Sequence, residues 1–199
     1  MTDATINRYT TDGFWTRVRL ALGGRTPAVE TGPARNDFDI AFATGWRSAA
    51  AGRAPLSLLL IEIDELADYF AAYGPAEADV CFAEVSETLA AVLPRPEDSC
   101  LPVAPGRFGV VLPRLPAHEA QRLAAAMAQS VRQLGRPHKA SHAGTVTVSM
   151  GLAVTLPEGG SFDNRLVEAA QQALRRAQRR GKGRLEVVDL RPRQMRHAA

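Results

Sequence analysis

Residues 94–113, PRPEDSCLPVAPGRFGVVLP, constrain this chain more than any other stretch. Pro94 and Pro96 stop any helix that enters it. An apolar run at 100–103 meets a Pro-Gly turn at 104–107, and a longer apolar run follows at 108–112. Two such runs joined by turn residues predict a β-hairpin. A hairpin needs a further strand to bury its apolar side, and Leu56–Ile63, LSLLLIEI, supplies it. That run is apolar almost throughout, the pattern of a central strand covered on both faces. It ends at Glu62 and Asp64, two carboxylates that the strand period of two puts on the same side.

Helical periodicity predicts helices around these strands. The first covers residues 36–51, with Phe38, Ile40, Ala41, Phe42, Gly45 and Trp46 in a loose stripe. A short helix at 65–73 stops at Gly74-Pro75, and Pro75 opens a longer one to residue 93 with Val80, Cys81, Val85, Leu89 and Val92 inward. Residues 117–134 form an amphipathic helix and 135–144 a loop. Residues 145–155 form a β-branched strand. Ser161 or Asp163 caps a helix to about residue 180, and 184–188 is a last strand. After the first helix the order is β-α-α-β-β-α-β-α-β. This is an α+β fold of ferredoxin-like, palm-type architecture, a mostly antiparallel central sheet covered by helices, which that architecture sets on one face.

The 199 residues divide into an extension (1–35), one domain (36–189) and a basic tail (190–199). In the extension, a capped helix at 11–22 carries Phe14, Trp15, Val18 and Leu22 on one face, a surface for a homodimer or a partner protein. The net charge is only +3 and its excess is arginine near the C-terminus, so nucleic acid is not an expected partner. Cys81 and Cys100 form no CxxC pair, which fits reduced packing thiols. His118, His138, His142 and His197 are isolated and lack metal-ligand spacing. No signal-like or membrane-length apolar segment is visible, so a cytoplasmic protein with no membrane association is expected.

Three segments together resemble a known family. LSLLLIEIDELADYFAAYGPAEADVCFAEVSETL is similar to the first strand and two helices of the GGDEF domain, the diguanylate cyclase family. PEDSCLPVAPGRFGVVLP resembles its signature hairpin, and TVTVSMGLAV with LVEAAQQALRRAQRRGKGRLEVVD its C-terminal part. The resemblance covers residues 36–189. It implies a GGDEF fold and, for active members, the joining of two GTP into cyclic di-GMP across a dimer. The family's metal lies between a carboxylate ending the first strand, here Glu62, and one in the signature turn. The five signature positions here are Ala104, Pro105, Gly106, Arg107 and Phe108, so Gly106 and Arg107 replace both acids. The guanine-binding Asn position falls on Phe70 and its acidic neighbour on Ala71, while a second guanine-contacting position keeps its acid as Asp79. The phosphate-binding Lys position falls on Gln178, and the Arg after the helix on Lys182.

On this resemblance the chain is expected not to be an enzyme. Glu62, Asp79, Gly106 and Arg107 would be a vestigial active site, with no catalytic residue, no magnesium and no other cofactor. A guanidinium beside Glu62 opposes a cation and replaces it with an ion pair. A second motif stands in register: Arg95-x-x-Asp98, five residues before the signature, matches the family's inhibitory site. It implies cyclic di-GMP as a regulatory ligand, with Arg95 on phosphate or the guanine O6/N7 edge and Asp98 on its N1/N2 donors. Arg122 matches a further arginine of that site, and the one a turn on falls on Ala126. The plainer readings are a solvent-exposed Arg95–Asp98 ion pair, a Glu62–Arg107 pair, a surface Asp79, and a solvated helix end for Arg175, Arg176, Arg179, Arg180, Lys182 and Arg184. The expected function is a regulatory protein that binds cyclic di-GMP and signals through a protein partner. The alternatives are a scaffold that binds no nucleotide, and residual cyclase activity or GTP binding.

Overall fold

The structure, a computed structural model, describes residues 33–158 and 164–192. The expected helix at 11–22 with its Phe14/Trp15 stripe, the Ser161 and Asp163 caps, and residues 193–199 of the basic tail lie outside the described residues.

The elements in order are α1 (Pro33–Ala51), β1 (Leu56–Ile63), α2 (Leu66–Ala91), β2 (Ser99–Ala104), β3 (Arg107–Pro113), α3 (Ala117–Gln133), β4 (Val148–Thr155), α4 (Arg165–Arg179) and β5 (Leu185–Asp189). They build one sheet of order β2-β3-β1-β4-β5. Every neighbouring pair is antiparallel except β4 and β5, which are parallel. The order follows from the connections. The two-residue loop at Pro105-Gly106 allows only an antiparallel β2–β3 pair. A helix between β4 and β5 lets the chain re-enter the sheet in the same direction.

β1 is the centre, and its alternation assigns the two cores. Leu56, Leu58 and Leu60 face α1 and α4, among Phe38, Phe42, Trp46, Leu166 and Leu174. Leu59, Ile61 and Ile63 face α2 and α3, among Tyr69, Phe82, Val85, Met127 and Val131. Each fully buried Leu or Ile contributes roughly 1.5–3 kcal/mol of transfer free energy. The expectation of helices on one face is therefore corrected: α2 and α3 cover one face, α1 and α4 the other. The physical reason lies in the strand itself, because a run with apolar side chains on both faces leaves no face for water. α4 comes close enough that Gly151 of β4 is required: a Cβ there would lie 2.2 Å from the Leu174 amide nitrogen and 2.3 Å from the Ala170 carbonyl oxygen.

α2 bends at Gly74, whose φ of 83° and ψ of 174° interrupt the helix before Pro75 restarts it. Its buried stripe is Ala78, Cys81, Phe82, Val85 and Leu89. Val80, expected inward, is exposed, because it falls two residues past Ala78 on the opposite side of the helix. Ile40 in α1 is exposed for the same reason, between Phe38 and Phe42. Burial pushes the Cys81 thiol up to about 11 and that of Cys100 to about 12, so both remain thiols. Among the described residues no helix is long and apolar enough to cross a membrane.

Candidate functional site

The hairpin carries two arginine–carboxylate pairs, one at its turn and one at the approach to its first strand. At the turn, the β1–β3 register sets Glu62 opposite Arg107. Arg107 Nε donates to Glu62 Oε2 at 2.8 Å, and Arg107 Nη2 donates to the same oxygen. Both side chains stay partly in solvent, 40% for Arg107 and 28% for Glu62. The turn is fastened to the end of β1 by the Ile63 amide, which donates to the Gly106 carbonyl at 2.9 Å. Gly106 has φ +69°, and a Cβ built on it would lie 2.4 Å from Leu66 Cδ2. Leu66 thus fills the space that a side chain on this turn residue would enter.

Asp64, the second carboxylate after β1, has another task. It is buried and collects three donors: Thr147 Oγ1 at 2.7 Å, Ser149 Oγ at 2.6 Å and the Gly183 amide at 2.9 Å. It ties the loop before β5 to the sheet, and its lone pairs are spent inside the protein. Glu65 follows in the left-handed region at φ 56°. Its carboxylate accepts from Lys182 Nζ at 2.7 Å. Hydrogen bonds from Lys182 and then Ser141 hold its pKa below the ordinary 4.5. Phe70, on α2, packs against the core, and Asp79 sits half-buried on the same helix.

The resemblance implies a divalent metal at this end of the sheet, and the residues present do not fit one. Glu62 is engaged by a guanidinium, Gly106 has no side chain, Leu66 fills the space beside it, and Asp64 is saturated. Among the described residues no group of three His, Cys, Asp or Glu is arranged to hold a metal ion.

At the approach to β2 the pair is local. Arg95 Nε donates to Asp98 Oδ2 at 3.1 Å and Nη2 to Asp98 Oδ1 at 2.5 Å, a two-pronged fork. The Asp98 amide closes the turn on the Arg95 carbonyl at 3.1 Å. Arg95 Nη2 also donates to the Pro113 carbonyl at 3.0 Å, pinning the fork to the far end of β3. The Asp98 side chain has no exposure, and that of Arg95 has 25%. The pair is half-buried, which corrects the reading of a solvent-exposed one. The Asp98 hydrogen bond raises the Arg95 pKa further, so its charge is permanent. Glu97 reaches both Arg95, at 3.6 Å, and Arg114, at 3.2 Å. Arg122 lies exposed on α3 and makes no hydrogen bond or ion pair with the fork.

Sequence reasoning missed a third constellation. Arg136, in the loop after α3, donates to Tyr69 Oη at 2.8 Å, Glu84 Oε2 at 2.6 Å and Glu77 Oε2 at 2.7 Å. Burial works against its charge, but the hydrogen bonds with Tyr69 and Glu84 outweigh it and raise its pKa. His138 lies in a loop, as expected, and is fully buried there. It lies edge-on to Tyr69, with Nε2 3.1 Å from the Glu65 carbonyl. These groups lock the loop onto α2, from Tyr69 to Glu84. No local pattern announces them, because their partners are far upstream in the chain.

Solved structures place this geometry among known proteins. The GGDEF domain of DgcB from Caulobacter crescentus, in complex with c-di-GMP, is 22% identical with a TM-score of 0.67, over 82% of this chain and 97% of that one. The active GGEEF domain of a diguanylate cyclase from Vibrio cholerae is 21% identical with a TM-score of 0.66, over 77% of this chain and 95% of that one. The diguanylate cyclase SiaD of Pseudomonas aeruginosa, in complex with its activator SiaC, is 20% identical with a TM-score of 0.63, over 92% of this chain and 68% of that one. No curated protein matches. The family model for "Diguanylate cyclase, GGDEF domain" matches residues 33–184. The expectation of a protein that is not an enzyme is corrected by these findings, since the family is one of cyclases and a similar structure is an active one. Physically, phosphoryl transfer runs on positioning and charge placement, and exchanging turn residues changes what supplies the charge without deciding the outcome. With its sheet order, its hairpin and this match over residues 33–184, the chain belongs to the GGDEF-domain family of diguanylate cyclases.

Proposed function

We propose that this domain binds cyclic di-GMP at the approach to the hairpin, through Arg95 and Asp98 with help from Arg122, and passes the bound state to a protein partner. The observation that carries the reading is the fork itself. A permanently charged guanidinium and a carboxylate, already paired and oriented, stand just before the edge strand β2 and are pinned to the end of β3. A guanidinium matches phosphate or the guanine O6/N7 edge, and a carboxylate matches guanine N1/N2. Ligand binding exchanges one set of charge-assisted hydrogen bonds for another, so Asp98 is never left alone in its buried place. The c-di-GMP bound to the DgcB domain and the activator bound to SiaD support a ligand and a partner of these kinds.

Calorimetric titration of the intact chain with cyclic di-GMP tests the reading. Arg122 is exposed and unpaired with the fork, so Arg122→Ala leaves the fold intact and weakens binding about tenfold. A chain that gives no heat with cyclic di-GMP is a scaffold, and this reading is then wrong. A second reading, synthesis of cyclic di-GMP from GTP, is favoured by the family and concerns the other end of the hairpin. Product formation from GTP by the purified chain measures it separately.

A further inference from the structure

We propose that Arg107 is a built-in cation at the turn end of the sheet, and that this end binds the phosphates of a nucleoside triphosphate, with GTP as the probe, without a divalent metal. The inference is independent of the Arg95 site. A metal needs several carboxylate oxygens converging on one point, and among the described residues no such group is present. The Glu62 oxygen that faces the turn is held by two N–H groups of Arg107. The turn residue that would bring a second acid is Gly106, with Leu66 Cδ2 2.4 Å from where its Cβ would be. Asp64 spends both oxygens on Thr147, Ser149 and the Gly183 amide.

The guanidinium also does what a metal cannot. It has five N–H donors in one plane. Two go to Glu62, and the rest have no protein acceptor among the described residues. With 40% of the side chain in solvent, those donors are open to an anion. Glu62 fixes the plane, so the arginine loses little rotamer freedom when a phosphate arrives. Lys182 and Arg184 lie on the neighbouring loop, which Asp64 and Glu65 tie to the same end of the sheet. They add positive charge against the local carboxylates.

Titration with GTP, once in EDTA and once in excess Mg²⁺, decides the point. The expected result is binding in both, with affinities that agree within about twofold. Arg107→Ala weakens binding in EDTA by about tenfold or more and leaves cyclic di-GMP binding unchanged, which separates this site from the Arg95 site. The two side chains are partly exposed, so the variant folds, and circular dichroism checks that. The combined variant Arg107→Ala, Gly106→Asp, Leu66→Ala removes the guanidinium, restores an acid and makes room for it; its GTP binding requires Mg²⁺. Binding by the natural chain that needs Mg²⁺, no binding in either condition, or binding unaffected by Arg107→Ala each overturns the proposal.

Discussion

The hairpin's two arginine–carboxylate pairs use the same chemistry in different surroundings. At its approach, Arg95 and Asp98 are three residues apart, the acid has no exposure, and a backbone carbonyl takes a further N–H of the arginine. At its turn, Arg107 and Glu62 meet across two strands, both remain partly wet, and part of the guanidinium faces solvent. Burial is what separates them. A buried carboxylate depends on its partner, because losing it strands a charge away from water. A wet pair contributes little to stability and can give its free donors to a ligand. The approach pair is thus tied into the fold, while the turn pair stays open to solvent.

The largest expected effect follows from that dependence. Arg95→Ala leaves Asp98 buried without its fork and lowers the unfolding free energy by about 3 kcal/mol, measured by urea denaturation. A loss below that of an exposed pair would show that Asp98 finds water, and the comparison would collapse. At the turn the strongest lever is the backbone. Gly106→Glu puts a side chain on a left-handed residue and against Leu66, and costs about 1–2 kcal/mol. Arg107→Gln, by contrast, costs at most about 1 kcal/mol, since both partners fall back on solvent. A larger loss there would mean that the turn pair is structural.

The smallest effect is electrostatic and sits beside the turn. The Glu65 pKa lies below 4.5 in the folded chain, first because Lys182 hydrogen-bonds it. A carboxylate whose folded pKa is depressed contributes stability that is full above its unfolded value and fades as pH falls through the folded one. Lys182→Ala brings the Glu65 titration back towards 4.5, read by NMR of its side-chain carbonyl. Acid sensitivity below that pH decreases with it.

Much of this fold is legible from periodicity. LSLLLIEI announces a strand covered on both faces, and the structure gives it helices on both. The architecture inferred from element order set them on one face instead, so the strand's own residues were the better guide. The hairpin reads from its Pro-Gly turn, although the strands extend to Ala104 and Arg107. The β-branched run at 145–155 begins as a strand only at Val148, because its partner β1 ends at Ile63, directly opposite Val148. The carboxylate–arginine pair of Glu62 and Arg107 followed once the strands were paired. The role of Leu66, the clamp of Arg136 and the burial of His138 did not. Each depends on which distant side chain folds against it, and that is a property of packing rather than of spacing.

The most direct test of the account is calorimetric titration with cyclic di-GMP of the natural chain beside Asp98→Asn, which keeps the shape and removes the charge. The account predicts saturable binding to the natural chain and binding weaker by about tenfold or more in the variant, with circular dichroism unchanged. Equal binding by the two chains, or none by the natural one, would contradict it.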